Sequence, residues 1–366
     1  MYARLVSTIS AFFMAIFLST AALAETVTIT DVLDRTVDVP AKAERILVGF
    51  YFEDVFAVGG PNVYDRVVAI SREAWEGWRN FQWKAYTAAV PKIQDIADVG
   101  EVDGGTFSLE KALAARPQVA LFAAWQFNAL KDTIGRLEAA GVPVVVLDYN
   151  AQVVEKHVKS TLALGTVLGQ PERAKKLADT YEKAVADVVA RVAKIKERPK
   201  VHFELGRKGA DEAGFSWGDV MWGRLVEVAG GQNIAKDQIA KWGPVNPEFV
   251  LAQNPEAVFL AGSGWVGKDK AVIMGPTVNV DDTHARMKPY KQRPGWSELD
   301  AIKSGKVFAV YHGGTRTLYD FAFLQFIAKS LHPEAFADVD PQKNLEKHFE
   351  EFMPIPLKGA FMTQLP

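Results

Sequence analysis

Short apolar runs alternate with helical patterns along most of the chain, and this alternation is the feature that most restricts its fold. The runs lie between turn residues, which is typical of strands buried in a parallel sheet. They are Arg45–Val48, Val67–Ile70, Val119–Ala123, Val144–Leu147, Val201–Leu205, Val258–Ala261 and Val307–Val310. Helical periodicity between most of these runs predicts βα units, and therefore an α/β fold.

A longer helical pattern separates the two halves of the chain. Apolar residues recur at steps of three and four from Ala174 to Ile195, which fits one face of a helix. Pro171 is suited to the first turn of that helix, and Pro199 to the stop that follows it. We therefore expect one helix over Pro171–Lys196 that joins two lobes, although periodicity alone also permits a surface helix within one domain.

A short internal sequence repeat supports two lobes of similar design. The segment SLEKALAARPQVALFAA begins at Ser108, and NPEFVLAQNPEAVFLAG begins at Asn246, so that Glu110 aligns with Glu248. Each copy predicts a short helix, a turn with a proline and a buried strand. The expected fold is α/β, with two Rossmann-like lobes whose parallel sheets are joined by a single long helix and enclose a ligand cleft between them. We expect the first lobe at residues 25–170, the joining helix at 171–197 and the second lobe at 198–366.

The first 24 residues have the pattern of an export signal. The stretch Leu5–Leu18 is almost wholly apolar, and Ala22-Leu23-Ala24 predicts cleavage after Ala24. The chain has no cysteine, so we expect no disulfide and no lipid anchor, and we place the protein in the periplasm. The formal net charge of −2, without a basic stripe, argues against nucleic acid as a partner. We expect a monomer.

Several segments together resemble a known family. The opening Ile29–Val48 resembles that of periplasmic binding proteins for ferric siderophores, haem and cobalamin, which serve ABC importers. Further similar segments are SLEKALAARPQVALF, Val226–Asp237, PEFVLAQNPEAVFLAG, GKVFAVYHGG and Ile327–Pro333. The resemblance covers nearly the whole mature chain and implies two α/β lobes, a cleft and only modest closure on binding. It also implies that Glu110 and Glu248, one on each lobe, pair with arginines of the permease dimer.

The ligand contacts are not carried over from the resemblance, because Tyr51–Gly59 and Ser71–Val90 are unusually aromatic for the corresponding regions of the family. Candidates come instead from the rule that ligands lie beyond the carboxyl ends of strands in open α/β sheets. The residues that follow predicted strands, or lie close beyond them, are Tyr51, Arg72, Trp75, Trp125, Arg207, Trp217, Trp265, His312, Arg316 and Tyr319.

This set combines flat aromatic rings with arginine guanidinium groups, and this combination suits a bulky anionic chelate. Surface ion pairs and core packing are the ordinary alternatives for these residue types. The six histidines are scattered, so direct capture of a bare metal ion is not favoured, although His312, Tyr319 and Tyr51 are candidates for an open metal position. His157 and His348 lie in helical patterns and are predicted to be solvated.

The predicted function is capture of a metal chelate, a ferric siderophore first of all, for delivery to an ABC importer of the inner membrane. No cofactor and no catalytic residue is predicted. The same fold with cobalamin, haem or an oxyanion such as molybdate as its cargo is an alternative. An exported α/β enzyme is a further alternative. A GxGxxG pattern at Gly262–Gly267 is its main support, but bulky Trp265 stands where the chain would approach a pyrophosphate.

Overall fold

A computed structural model describes residues 25–366, and the predicted export signal lies outside the described residues. The strands of the first half are β1 (Thr26–Thr30), β2 (Thr36–Pro40), β3 (Ile46–Val48), β4 (Val67–Ile70), β5 (Ala97–Asp98), β6 (Val119–Ala123) and β7 (Val144–Leu147). Those of the second half are β8 (Lys200–Leu205), β9 (Phe215–Trp217), β10 (Gln232–Asn233), β11 (Trp242–Pro244), β12 (Ala257–Gly262), β13 (Gly275–Pro276), β14 (Val307–Tyr311), β15 (Gly359–Ala360) and β16 (Met362–Gln364). All seven predicted strands are present.

The helices lie mostly between these strands. They are α1 (Phe52–Gly59), α2 (Glu73–Glu76), α3 (Asn80–Ala89), α4 (Leu109–Ala114), α5 (Ala124–Ala129), α6 (Lys131–Ala139), α7 (Val154–Leu168), α8 (Pro171–Val192), α9 (Met221–Val228), α10 (Pro247–Gln253), α11 (Val280–Met287), α12 (Asp300–Lys303), α13 (Asp320–Leu331) and α14 (Pro341–Phe352). None of the helices in residues 25–366 combines the length and the apolar character needed to cross a membrane.

Two five-stranded sheets form the two lobes. The first has the order β5-β4-β3-β6-β7 and is wholly parallel. The second has the order β10-β8-β12-β14-β16, in which only β16 runs antiparallel to its neighbour. Every residue of β6, β7, β12 and β14 is buried, because helices cover both faces of these strands. The predicted α/β fold with two parallel sheets is therefore confirmed.

The two repeated segments, which begin at Ser108 and Asn246, form equivalent structural units. In the first lobe α4 leads into β6, and in the second lobe α10 leads into β12. Ser108 and Asn246 are the N-caps of the two helices, and each side chain accepts a backbone hydrogen bond from the first turn. Glu110 and Glu248 therefore occupy the same place, exposed in the first turn of an equivalent helix.

The joining helix differs from the prediction in two respects. α8 ends at Val192 rather than Lys196, because the amides of Lys194 and Ile195 bond only three residues back and tighten the last turn. It is also not alone, since α7 packs along it, and α8 contacts α1 of the first lobe and α13 of the second. A pair of long helices thus links the lobes.

His157 and His348 are buried, so the prediction that they are solvated is wrong. His157 lies on the inner face of α7 and its ring stacks on Tyr181 of α8 at 4.6 Å. Burial lowers the pKa of both imidazoles to about 3, so each ring is neutral. Periodicity alone did not distinguish the two faces because both helices are covered by neighbours.

Candidate functional site

The strand order of the first sheet predicts a ligand site at its carboxyl end. In the first sheet the order reverses between β3 and β6, which is where open α/β sheets bind ligands. Phe50 follows β3 and Trp125 follows β6, and their ring centroids are 5.5 Å apart. These two rings form an aromatic floor on the side of the first lobe.

The second lobe contributes His312, which directly follows β14. Two indoles lie beside its imidazole, with centroids 5.5 Å away for Trp217 and 6.1 Å for Trp265. Trp217 comes from β9 and Trp265 from the loop after β12. A strand and a loop of the second lobe therefore meet at the imidazole that follows β14.

Two arginines meet at the aromatic floor. The guanidinium carbon of Arg79, from the first lobe, lies 4.9 Å from the Phe50 ring centroid, and that of Arg316, from the second lobe, lies 5.2 Å from it. Phe50, Arg79, His312 and Arg316 are called the cleft cluster below. Arg79 is only 5% exposed, and its Nε and Nη2 atoms have no hydrogen-bond partner among the described residues.

In the described part of the chain, the two arginines of the cleft cluster interact with carboxyl groups only at longer range, Arg79 with Glu53 and Arg316 with Asp103. Neither Arg79 nor Arg316 forms a salt bridge within residues 25–366, although the chain is slightly acidic overall. Burial, and then the charge of Arg79, lower the pKa of Arg316 to about 9. Burial, followed by Arg316 and Arg79, holds the pKa of His312 well below its ordinary value, so the imidazole is neutral. An anion in the cleft would offset the repulsion between these positive charges.

A hydrogen-bond donor lies at each ring nitrogen of His312, the indole of Trp222 at Nδ1 and the guanidinium of Arg316 at Nε2. The indole Nε1–H donates to Nδ1 of His312 at 3.1 Å, and Trp222 is fully buried. Loss of this bond would leave a buried N–H without a partner, at a cost of about 1–3 kcal/mol. The guanidinium of Arg316 lies 3.3 Å from Nε2 of His312, but Arg316 is only half-buried and has other N–H groups that can donate. Its contact therefore constrains the tautomer of His312 less than the contact from Trp222 does. Of the two contacts, the one from Trp222 therefore favours a proton on Nε2 of the neutral imidazole.

Six of the predicted contacts lie at or beside the cleft cluster. Arg316 and His312 belong to it, and Trp125, Trp217 and Trp265 contact its rings. Tyr51 lies beneath it, with its ring 5.2 Å from Phe50 and its hydroxyl donating to Oδ1 of Asn150 at 2.8 Å.

The other four predicted contacts are directed elsewhere. Arg72 donates to the backbone oxygens of Gln94 and Ile96, and Trp75 is fully buried in a stack on Phe52. Tyr319 is buried and donates to Oε2 of Glu53 at 2.5 Å.

Arg207 is exposed and lines a separate cavity of about 480 Å³ that adjoins the cleft through Trp265. Its other walls include Glu73, Glu76 and Trp78 of the first lobe. The structure thus places Arg207 near the cleft but outside the cleft cluster.

Sequence reasoning missed Arg79, Phe50 and Trp222. Arg79 lies in the loop between α2 and α3, a position that the strand-end rule does not select. The available signal was the unusually aromatic segment Ser71–Val90, which folds across the cleft. Its residues bond to the second lobe: Ser263 Oγ donates to Trp78 O at 2.9 Å, and the Asn80 N–H donates to Gly264 O at 3.1 Å.

Buried carboxyl groups tie the lobes together near the N-terminus of α1. Asp54 Oδ1 accepts the N–H of Leu318 at 2.7 Å, and Asp320 Oδ2 accepts from Nε2 of Gln152 at 2.9 Å. Burial raises the pKa of both carboxyls well above the ordinary value, and neighbouring Glu53 and Asp320 also raise that of Asp54. No group of three or more His, Cys, Asp or Glu side chains in the described chain converges as a metal site.

Comparisons with known proteins agree with this architecture. Residues 50–311 match the family described as periplasmic binding protein. The TroA-like periplasmic binding protein FepB from Veillonella parvula superposes with a TM-score of 0.88 at 33% identity, covering 93% of this chain and 100% of that chain. YvrC of Bacillus subtilis, an uncharacterized ABC transporter substrate-binding lipoprotein, is 23% identical over 322 residues, 85% of this chain and 87% of that protein. The molybdate-binding protein MolA of Haemophilus influenzae is 23% identical over 359 residues, 92% of this chain and 93% of that protein.

Proposed function

This chain belongs to the periplasmic binding protein family of ABC importers, and from that premise we propose that it captures an anionic metal chelate, a ferric siderophore first of all. Members of this family are transport proteins rather than enzymes, so the chain is the substrate-binding component of an importer. We place the chelate in the cleft between the lobes, over the cleft cluster.

The observation that carries this proposal is the pair of arginines without carboxylate partners. A buried charge is costly unless a partner compensates it, and Arg79 is 5% exposed with free N–H groups. Its neighbour Arg316 brings a second positive charge to the same phenylalanine ring. An anionic cargo supplies the missing partner for both guanidinium groups.

Aromatic surface favours a chelate with flat arms. Trp125 of the first lobe and Trp265 of the second are both half-buried, and they contact Phe50 and His312 of the cleft cluster. Aromatic rings of this kind offer apolar area for catechol rings, whose oxygens carry negative charge when they bind iron. A ferric catecholate or a ferric carboxylate chelate therefore matches both the rings and the arginines.

A small oxyanion is the second candidate. The similarity to the molybdate-binding protein MolA extends over 92% of this chain, and free arginine N–H groups also suit oxyanions. The two candidates share negative charge and differ in size, so they are separable by a binding panel.

The test is a titration of the purified protein that follows the fluorescence of its nine tryptophans. The panel is a ferric tris-catecholate, ferric citrate, a neutral ferric hydroxamate, molybdate, haem and cobalamin. We expect the anionic ferric chelates to bind most tightly and the neutral hydroxamate to bind at least tenfold more weakly. Equal affinity for the neutral chelate, or binding of cobalamin alone, contradicts the proposal. Native mass spectrometry of protein from its own periplasm identifies the natural cargo.

We further propose that the protein works unlipidated in the periplasm after cleavage behind Ala24. YvrC is a lipoprotein by its name, but this chain contains no cysteine to carry an acyl anchor. Its partner is the permease dimer of the importer, which Glu110 and Glu248 would contact from equivalent places on the two lobes.

A further inference from the structure

We propose that His312 and Arg316 together hold one anionic oxygen of the cargo, and that Trp222 is the positioning residue that makes His312 a hydrogen-bond donor there. This inference rests on the proposed function, because it names the chemical group that one part of the cleft accepts. It also predicts how the metal of the cargo is ligated.

Trp222 is held rigidly behind His312. Its ring stacks on Phe203 with centroids 4.9 Å apart and planes 12° apart, and Phe323 meets it edge-on at 5.7 Å. An indole nitrogen can only donate a hydrogen bond, so Nδ1 of His312 must present its lone pair to Trp222. The Nε2–H of His312 is thereby left for the cleft.

The space in front of Nε2 needs an acceptor. Nη2 of Arg316 lies 3.3 Å from Nε2 of His312, and both atoms carry hydrogens, so the two groups do not satisfy each other. Nε of Arg316 also lacks a partner. An oxygen that bridges His312 and Arg316 would satisfy both donors, and a negative charge on that oxygen would balance the guanidinium.

The same geometry makes His312 unsuited to direct metal ligation. A neutral imidazole that binds a metal through one nitrogen keeps a proton on the other and donates it. In this protein Nδ1 accepts from Trp222, so a metal on Nε2 would leave the ring without any proton. The cargo is therefore one whose metal is fully ligated before capture, either a saturated chelate or an oxyanion.

Nitrogen-15 NMR of histidine-labelled protein tests the inference. Without ligand, we expect the His312 signals of the Nε2–H tautomer. In Trp222→Phe, we expect a mixture of tautomers and about tenfold weaker binding of a ferric tris-catecholate. Phe203→Leu is the matched control: it loosens packing on the same indole but keeps its N–H, and should retain the tautomer. A predominant Nδ1–H tautomer in the wild-type protein overturns the role of Trp222.

Ligand titrations in the same spectra test the oxygen site. Molybdate or gallium tris-catecholate, the diamagnetic equivalent of the ferric chelate, should change the signal of Nε2–H without removing its proton, whereas Ni²⁺ alone should leave His312 unchanged. If a chelate binds but Nε2–H does not respond, or if Ni²⁺ selectively broadens His312, the oxygen site is wrong while the proposed function stands. If no member of the panel binds, the proposed function fails, and the tautomer of the free protein still decides the role of Trp222.

Discussion

Arg79 is the residue on which charge recognition depends most, because it is nearly inaccessible to water and has no ion pair in the described chain. Arg79→Gln and Arg316→Gln should each weaken binding of an anionic ferric chelate by about 1.5–3 kcal/mol, the usual contribution of a hydrogen bond to a charged group. Fluorescence titration of the single variants measures this. The effect on a neutral ferric hydroxamate should be small.

The control for the arginine variants is Arg136→Gln, on the exposed side of α6, which should leave affinity unchanged. Because Arg79 is a buried charge without a partner, its replacement should not lower the melting temperature of the empty protein. If both cluster variants keep full affinity for the anionic chelate, the cleft cluster does not bind the cargo charge.

Asp54 gives a pH-dependent prediction. Its raised pKa means that the folded state binds a proton more tightly than the unfolded chain. The bound proton makes its full contribution to the free energy of unfolding below pH ~4, and this contribution is lost as the pH rises toward the raised pKa. Asparagine does not titrate, so Asp54→Asn should gain stability relative to wild type with increasing pH, by about 1.4 kcal/mol per unit within that window.

Calorimetric melting of Asp54→Asn between pH 4 and pH 8 checks this difference. Asp269→Asn, in an exposed loop, is the control and should follow the wild-type profile. Parallel profiles for Asp54→Asn and the wild type would mean that Asp54 does not titrate in this range.

Residues of the cleft could be predicted from the sequence where they directly follow a strand that ends at the cleft. His312 and Trp125 follow β14 and β6, and the strand-end rule selected both. Arg72 follows β4 equally closely, yet its guanidinium turns back to carbonyls of its own lobe. The strand-end rule gives the position of a residue but not the direction of its side chain, and it does not reach Arg79 in a loop between helices.

At the scale of elements, the contact between α7 and α8 depends on one small residue. A Cβ atom added to Gly165 would lie 2.3 Å from the Cβ of Ala174, so the two helices could not keep their spacing. Gly165→Ala should therefore destabilise the protein by about 1–3 kcal/mol through overpacking, although alanine favours helix by up to ~1 kcal/mol. Urea unfolding measures the change.

The matched control for Gly165 is Gly135→Ala in α6, where an added Cβ would meet no atom within 4 Å. Helix propensity then acts alone, and this variant should be more stable by about 0.5–1 kcal/mol. Equal stabilisation by both substitutions would contradict close packing between α7 and α8.

Element prediction succeeded for the buried strands of three or more residues, the edge strand β7 included, and failed for the two shortest edge strands. The buried strands β6 and β12 are continuous apolar runs, because both faces of each strand are covered. The edge strands β5 and β10 have two residues each and are too short to leave a pattern. The end of α8 was placed too late because its apolar periodicity continues to Ile195, beyond the last regular turn.

At the scale of the whole molecule, the helix pair predicts little change of shape on binding. α8 contacts both lobes, and the Asn80 and Val266 amides bond across the rim of the cleft. Such a link resists the large hinge motion that flexible paired strands allow. Small-angle X-ray scattering with and without a ferric tris-catecholate should give nearly the same radius of gyration, and a clear decrease would contradict the prediction.

Docking on the importer concerns both lobes at once. Glu110 and Glu248 are exposed at equivalent places, so a two-fold permease could meet one carboxylate with each subunit, and equivalent ion pairs would fix the orientation of the complex. The alternative is a purely local role, because an acid in the first turn of a helix contributes about 0.3–1 kcal/mol. Both N-caps are present, so stabilisation of the two helix N-termini alone would also explain why a glutamate occupies each position.

The two roles predict different behaviour of the double variant Glu110→Ala with Glu248→Ala. If the carboxylates dock, cargo affinity and melting temperature stay nearly unchanged, while stimulation of the importer ATPase in proteoliposomes is lost. The control is Glu155→Ala with Glu172→Ala, which removes exposed first-turn acids from α7 and α8 and should keep full stimulation. A docking variant that still stimulates the ATPase, or that loses stimulation only in step with unfolding, leaves the local role as the explanation, because charge matching across a two-fold interface predicts loss without destabilisation.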